Sequence, residues 1–526
     1  MTADNQSATL AFLTCPRVQG VPAADIATVR THLSTIVLAG SRACKLKRAI
    51  RLPYIDLSTP ALRLQACERE LALNRRTAPA LYLAVRRITR QEDGELSFDG
   101  PGELVDAVVE MRRFADDALL DTVVTRDGLS PQLAERLACV IADFHDRAQV
   151  ARAVDSGARL AGVIATNAQV FAGLPALPPA KTAALEAALR RELARHAPLL
   201  QARAQAGKVR HCHGDLHLAN ICLIDGEPTL FDCLEFDTAL ATIDVLYDLA
   251  FLLMDLWCRG LAPQANRVLN HYLDRRDDED GLPLMPAFMA LRAAIRAHVI
   301  ATQATAATTA PARARLQAQA LRYLDTGLAC LAPRAARLVA VGGLSGSGKS
   351  VLAAAIASAV GAPPGARVLS SDRIRKALHG VEAQARLPAR AYGLEVSEQV
   401  YAAQAGRARE LLAAGCCVIA DAVFDRPADR ERIAQAATQA RAGFAGFWLQ
   451  APAATLMARV KARVNDPSDA DEDVVQRQLA RSPVASSWQS VDAGGTAQAT
   501  AQHVLRQLEE EEAARGAATP TAGAPP

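Results

Sequence analysis

The chain has 526 residues, 50% hydrophobic and 22% charged, with a formal net charge of +3. Length as a prior suggests about three domains, and the charge is too near neutral to argue for a nucleic-acid or membrane partner. Eleven cysteines, an odd number with no C-x-x-C pair, suggest neither a disulfide framework nor a zinc site and fit a reducing compartment.

The N-terminus has no basic n-region followed by an apolar stretch. No later run reaches 18 apolar residues, since Leu249 to Trp257 is interrupted by Asp255. The expectation is a soluble cytoplasmic protein without a membrane span. Residues 1–30 carry little signal. Ser34–Gly40 and Ala43–Lys47 then read as two strands across a Gly-Ser turn. Pro60–Arg76 has helical apolar spacing, and Ala80–Ile88 and Glu103–Phe114 read as strands, so a small α+β lobe is predicted. From Pro131 helices take over: Leu133–Ala148, Thr182–Gln205, Asp244–Cys258, Gln264–Asp274, Pro286–Ala301 and Ala312–Cys330. The charge run Arg275–Gly281 reads as a solvated loop, and residues 301–310 as a linker or poor helix. The acidic run at Glu509 leads into a disordered tail, 513–526.

Within the helical region, Asp215 to Asn220 has the D-L-x-x-x-N spacing of a kinase catalytic loop, with Gly214 where Arg usually stands. Ile221–Ile224 and Thr229–Asp232 form a hairpin around Asp225-Gly226. Closing it brings Asn220 beside Asp232, an amide oxygen and a carboxylate suited to a Mg²⁺ that bridges ATP phosphates. Asp215 is placed to accept the proton of an attacking hydroxyl. His213 and His217 read as structural. A lobe of this kind needs a strand lysine paired with a helix glutamate; position selects Lys45 and Glu70, with Glu68 in reserve.

The strongest motif comes later. Gly343, Gly348, Lys349 and Ser350 fit G-x-x-x-x-G-K-[ST] between an apolar strand, Leu338–Val341, and a helix beginning near Val351. Gly343, Ser345, Gly346, Ser347 and Gly348 would turn backbone N–H groups toward a phosphate at a helix N-terminus. Lys349 would reach the β/γ-phosphates and Ser350 would ligate Mg²⁺. Strand Cys416–Asp421 ends in the Walker-B position, making Asp421 a second metal group. Strands alternating with helices (366–371, 372–378, 395–414, 427–442, 444–449, 453–464) predict a parallel sheet with ligands at its carboxyl edge. Asp372 falls on that edge, as a base or a helix cap. Arg459 and Arg463 lie on one helix face before the flexible stretch Asn465–Asp471, as in a lid that closes on phosphates.

On these motifs residues 31–330 resemble the aminoglycoside phosphotransferase/choline kinase-like family. Its catalytic loop is similar to His213–Asn220, its second metal motif to Leu230–Glu235, and its supporting segment to Tyr247–Ala250. That resemblance implies Asp215 as base, Asn220 and Asp232 as Mg²⁺ ligands and Asp248 as an anchor. A clear G-x-G-x-x-G loop is missing, Leu38–Ser41 being the only candidate. Residues 337–510, within a P-loop domain expected at 335–512, are similar to small P-loop kinases of the gluconate kinase, polynucleotide kinase and zeta toxin type, with Ser371–Arg375 similar to their acceptor-binding segment. This implies Asp372 as base, Arg375 as a phosphate or substrate contact, and a lid arginine, Arg463 or Arg459. The whole resembles bacterial bifunctional aminoglycoside phosphotransferase/ATP-binding proteins. The fold class expected is therefore a protein-kinase-like α+β domain followed by an α/β P-loop domain. The expected function is ATP-dependent, Mg²⁺-assisted phosphorylation of a small hydroxylated acceptor. A regulatory ATP sensor and a nucleic-acid 5′-hydroxyl kinase are the alternatives; few aromatics (4%) argue against the last.

Overall fold

The computed structural model describes residues 6–52, 55–152, 154–235, 237–462, 467–480 and 488–518. Contacts divide the chain into two compact units, residues 1–160 with 197–255 and residues 161–196 with 256–526. The helices after residue 255 thus group with the P-loop sheet rather than with the catalytic-loop region, a cut placed elsewhere than the sequence boundary near 330.

The first unit opens with an antiparallel sheet. Its strands are β1 (Ile26–Arg30), β2 (Ser34–Ala39), β3 (Arg42–Lys47), β4 (Tyr82–Arg90), β5 (Leu96–Phe98) and β6 (Glu103–Arg112), in the order β1-β2-β3-β6-β4-β5. Gly40, at φ 56°, makes the β2–β3 turn. Helix α1 (Pro60–Asn74) starts where Thr59 accepts from the Leu62 N–H and Pro60 occupies the first turn, a position where its missing donor costs nothing. α1 packs on one face of the sheet through Cys67, Leu81, Tyr82, Ala107 and Val109. The other face is covered by the helix Ser7–Leu13, with Leu13 fully buried against Val37, Leu46 and Val108. The helix Ser7–Leu13 and strand β1, in a stretch silent by pattern, therefore complete this core. Below the sheet stand α2 (Pro131–Arg147), capped by Ser130, and the hairpin of β7 (Ile221–Ile224) and β8 (Glu227–Leu230). Asp225 and Gly226 both take positive φ at its turn, the conformation a two-residue hairpin requires. Helix α3 (Val245–Cys258) runs behind it.

The second unit holds α4 (Ala262–Arg275), α5 (Met285–Thr305) and α6 (Ala310–Cys330), followed by a five-stranded sheet. Its strands are β9 (Arg337–Gly343), β10 (Arg367–Ser370), β11 (Val418–Asp421), β12 (Gly443–Gln450) and β13 (Gln489–Asp492), all parallel, in the order β10-β11-β9-β12-β13. One face is buried by α7 (Lys349–Ile356) and the C-terminal helix Ala497–Ala518 through Val341, Leu352, Ile419, Phe447 and Val504. Helices Leu394–Ala413 and Pro427–Gln439 pack on the other side of the sheet. Both faces are covered, which is why the central strands read as continuous apolar runs. Elements without a sequence signal appear as well, namely the helix Glu472–Ala480, strand β13 and the C-terminal helix Ala497–Ala518.

Several expectations need correction. The predicted helix Thr182–Gln205 is two helices, Pro179–Arg195 and Ala197–Gln205. Residues 513–518 continue the last helix instead of joining a tail, and residues 519–526 lie outside the described residues. Glu279–Thr305 is long and apolar enough to span a membrane, but 72% of its apolar window is buried inside the fold, as suits a core helix. The charge run 275–281 is solvated only in part: Arg275, Asp277 and Asp280 are exposed, but Asp278 is fully buried and pairs with Arg276 at 2.8 Å. Glu279 accepts from the buried Arg367 of β10 at 2.6 Å and from Arg407. Burial would raise the Glu279 carboxyl, but Arg367 and Arg407 outweigh it and hold it below its ordinary 4.5.

Glu279→Ala leaves the Arg367 guanidinium with Asp274 as its remaining carboxylate, and losing a hydrogen bond to a charged group should cost about 1.5–3 kcal/mol. Because the carboxyl is depressed in the fold, its contribution is present above pH 4.5 and fades as pH falls through the folded value. Urea denaturation of parent and variant should therefore differ clearly at pH 7 and converge in acid.

Candidate functional site

In the second unit the loop after β9 turns back sharply before α7. Gly343, Gly346 and Gly348 have φ of 141°, 83° and 92°, a region that side chains disfavour. A Cβ on Gly346 would lie 2.4 Å from the Leu456 carbonyl oxygen, so only glycine fits. The parallel register sets Val341 of β9 and Ser370 of β10 level with Asp421, the last residue of β11. Ser350, in the first turn of α7, donates its hydroxyl to Asp421 Oδ2 at 2.6 Å. Lys349 Nζ folds back onto the Leu344 carbonyl at 3.0 Å, and the Ser345 N–H donates to Gln478 Oε1 at 2.8 Å. Ser347 Oγ is buried with no hydrogen-bond partner among the described residues. A curled loop with an unsatisfied buried hydroxyl, a lysine and a hydroxyl–carboxylate pair fits a nucleotide phosphate with its cation.

These groups open on a cavity of about 360 Å³, which Asp372, Arg375 and Arg459 also line. Ser370 is the N-cap residue of α8 (Ser371–Leu378), which places Asp372 inside the first turn rather than at the cap. Arg375 is buried, donates to the Ala391 carbonyl at 2.8 Å and lies 4.8 Å over the Tyr392 ring. Its Nε has no partner among the described residues. Arg459 bonds the carbonyls of Ala493 and Gly495. Arg463 lies outside the described residues. The stretch predicted as flexible is pinned where it is described: Asp469 Oδ2 accepts from Lys376 at 2.7 Å, from the Leu387 N–H at 2.9 Å and from the Tyr392 hydroxyl. Burial would raise the Asp469 carboxyl, but these donors hold it below its usual range. Tyr392, Lys376, Gln478 and Asp469 escaped the sequence reading because nothing in their spacing ties them to the loop.

In the first unit Lys45 Nζ lies 2.7 Å from Glu70 Oε1 and 2.5 Å from Asp232 Oδ1. Lys47, two residues on and so on the same strand face, lies 2.5 Å from both Glu70 Oε2 and Glu235 Oε1. Glu70 is fully buried, and Glu68 is exposed on α1. Burial would lower Lys45, but Asp232 and Glu70 outweigh it and raise it well above its ordinary value. Burial would likewise raise Glu70, and the two lysines bring it down to about 2. The period of two along β3 was the available signal for Lys47; Glu235 had none.

Asp248 organises the catalytic-loop segment. Its carboxylate accepts from the N–H groups of His213 (3.0 Å) and Gly214 (2.9 Å) and bonds His145 Nε2 at 3.1 Å. Those bonds account for the buried His145–Cys212–Asp248 cluster as an anchor. Gly214 has φ 84°, and a Cβ there would meet Leu234 Cβ at 2.9 Å, which explains glycine in place of arginine. The Asp215 N–H meets His213 Nδ1 at 3.4 Å, so His213 Nε2 carries the proton it donates to the Phe231 carbonyl. Asn220 Nδ2 donates to Asp215 Oδ2 at 2.8 Å, which commits the amide nitrogen and leaves its oxygen for a cation. The Phe231 N–H reaches Asn220 O at 3.0 Å, so the hairpin brings Asp232 alongside. Asp232 takes φ 61° and gives its N–H to the Tyr82 hydroxyl. His217 lies 3.5 Å from Asp215 Oδ2 and edge-on to Phe251. The donor set of Asn220 and Asp232, with Lys45 adjacent, fits a phosphate-bound divalent cation.

Residues 56–284 match the phosphotransferase enzyme family, and residues 338–484 match an AAA domain. The uncharacterized protein Rv2004c of Mycobacterium tuberculosis is 30% identical over 475 residues, covering 88% of this chain and 92% of the relative. Among solved structures, a gluconokinase from Sinorhizobium meliloti is 22% identical with a TM-score of 0.26, over 35% of this chain and 99% of that one. A choline/ethanolamine kinase family protein from Mesorhizobium loti is 16% identical with a TM-score of 0.36, over 61% and 98%.

Glu70→Gln removes the carboxylate shared by two buried ammonium groups. Stability should fall by about 3–5 kcal/mol, the range for breaking a buried ion pair. Chemical denaturation of the ligand-free protein checks this, and an unchanged midpoint would mean that the lysines escape to solvent.

Proposed function

The chain belongs to the family in which a phosphotransferase-family domain precedes a P-loop AAA domain, an ATP-using kinase type, and from that premise we propose that each module binds its own Mg·ATP and that the protein phosphorylates a small hydroxylated molecule in the cytoplasm. The observation that carries this reading is a juxtaposition. Asp372, unneeded for holding phosphates, lines the same cavity as Lys349 and the Ser350–Asp421 pair. ATP supplies the transferable phosphoryl group. Lys349 and the loop N–H groups would hold its phosphates, and Ser350 with Asp421 would hold Mg²⁺. Asp372 would orient an acceptor hydroxyl and take its proton, and Arg375 would face the developing charge.

At the first centre, Lys45 held by Glu70 would meet the α/β-phosphates, Asn220 and Asp232 would hold Mg²⁺, and Asp215 would accept the acceptor's proton. The hydrogen bond from Asn220 to Asp215 supports a division of labour: the amide orients the base while its oxygen serves the metal.

An ATP-consumption screen of the intact protein against sugars, amino alcohols, aminoglycosides and 5′-hydroxyl oligonucleotides tests the reading. ATP turnover that responds to no acceptor would mark a nucleotide-gated regulator instead. In calorimetry, Lys349→Ala should abolish one of two ATP-binding events and leave the other; a single event in the parent contradicts two sites. Asp215→Asn should lower acceptor-dependent turnover at the first centre by about a hundredfold or more while ATP still binds. Asp232→Asn should weaken Mg·ATP binding itself, and equal effects of the two substitutions on ATP affinity would erase the distinction between base and ligand.

A further inference from the structure

A second cavity, of about 180 Å³, shares Ser350, Asp372 and Asp421 with the first. Its far wall is α4, which contributes Arg267, Asn270, His271 and Asp274. This helix stands within the phosphotransferase-family match and outside the AAA-domain match. It is nonetheless built into the P-loop sheet. Asn266 Nδ2 donates to the carbonyls of Pro364 (2.9 Å) and Ala366 (3.0 Å), and Asn270 Oδ1 accepts from the Val368 N–H at 2.8 Å. Asp274 pairs with Arg367 at 2.7 Å and with Arg373 at 3.0 Å. Buried amides bonded to strand backbone admit one register only. They set α4 beside the end of β10, where Ser370 leads into Asp372.

The chemistry of this wall differs from that of the first cavity. Tyr392 and Tyr401 line the first, whereas no Phe, Tyr or Trp lines the second among the described residues. Without a large aromatic face, the site offers a nucleobase or an aromatic ligand less to stack on than the first cavity does. Its volume falls below the range of about 300–1,000 Å³ usual for drug-sized ligands, and its walls carry hydroxyl, imidazole, guanidinium and carboxylate groups.

We propose that this cavity is the acceptor subsite of the P-loop centre, that α4 lends it Arg267 and His271 as specificity-determining residues, and that the acceptor is a small non-aromatic polyol. The proposal rests on the reading of the P-loop module as a kinase. In the transfer, a polyol oxygen forms a bond to the γ-phosphorus of ATP as the bond from that phosphorus to the β–γ bridging oxygen breaks. The hydroxyl proton passes to the Asp372 carboxylate, and ADP and the phosphorylated polyol leave.

The test uses the full chain with γ-labelled ATP and Mg²⁺. Glycerol, erythritol, ribitol, glucitol and gluconate are offered beside a 5′-hydroxyl oligonucleotide and an aminoglycoside. Lys349-dependent transfer to at least one polyol is expected. Its half-saturating concentration should rise about fivefold or more in Arg267→Ala and in His271→Ala, with half-saturation by ATP unmoved. His271→Gln, which keeps a hydrogen-bonding group, should recover part of the loss, and matched melting temperatures separate this from misfolding. Polyol transfer insensitive to both alanine variants would overturn the role of α4 and leave the kinase reading standing. Lys349-dependent transfer confined to the oligonucleotide or the aminoglycoside would overturn the polyol assignment. No Lys349-dependent transfer to any acceptor would overturn the inference and the P-loop kinase reading together.

Discussion

Charge buried without water has to be neutralised where it lies, and that constraint shapes both units. In the first, two lysines on one face of β3 share the carboxylate of Glu70, and each is completed by a further acid, Asp232 or Glu235. In the second, Arg367 at the start of β10 is enclosed by Asp274, Glu279 and the Asn270 side chain. Replacing a buried pair by apolar residues is often neutral, whereas removing one partner is costly. Such clusters therefore specify which elements meet more than they add net stability.

What they specify bears on chemistry. The lysine–glutamate cluster joins β3, α1 and the segment after β8, bringing Asp232 to the ammonium group of Lys45. The arginine cluster joins α4 and the 3₁₀ turn at Glu279–Leu284 to β10, next to the edge that carries Asp372. Each centre is assembled from segments far apart in the chain, and in both a carboxylate stands at or just beyond the end of a strand. At the P-loop that placement comes from parallel register; at the catalytic loop it comes from a hairpin and a left-handed Asp232.

The loop residues themselves are held from behind. Asp248 takes two successive N–H groups and an imidazole, so its carboxylate replaces the water that a buried loop would lack. Asp469 does the same for the segment between α8 and the following helices, with an ammonium, an N–H and a phenol. The described part of a stretch read as mobile is thus tied down by a single acid.

Local pattern determined a good deal by itself. The P-loop, the Asp225-Gly226 hairpin, the capped α1 and the alternation of strands and helices were legible because each rests on contacts between near neighbours in the chain or on the period of burial. Lys45 and Glu70 could be chosen only by position; Lys47 shares the strand face of Lys45 by the period of two, but nothing local tied Glu235 to it. The charge run at 275–281 read as solvated because composition describes the chain in water, whereas the arginines that neutralise Glu279 come from far along the chain, Arg367 from β10 and Arg407 from the helix Leu394–Ala413. Helix Ser7–Leu13 had too short a period to register, yet Leu13 closes a core face. Which helix lines which cavity was decided by tertiary structure alone, since α4 sits beside Asp372 through side-chain amides bonded to strand backbone nearly a hundred residues away. Hydrogen bonds and ion pairs across such separations leave no periodic trace, because each needs only two groups that meet after the chain has folded.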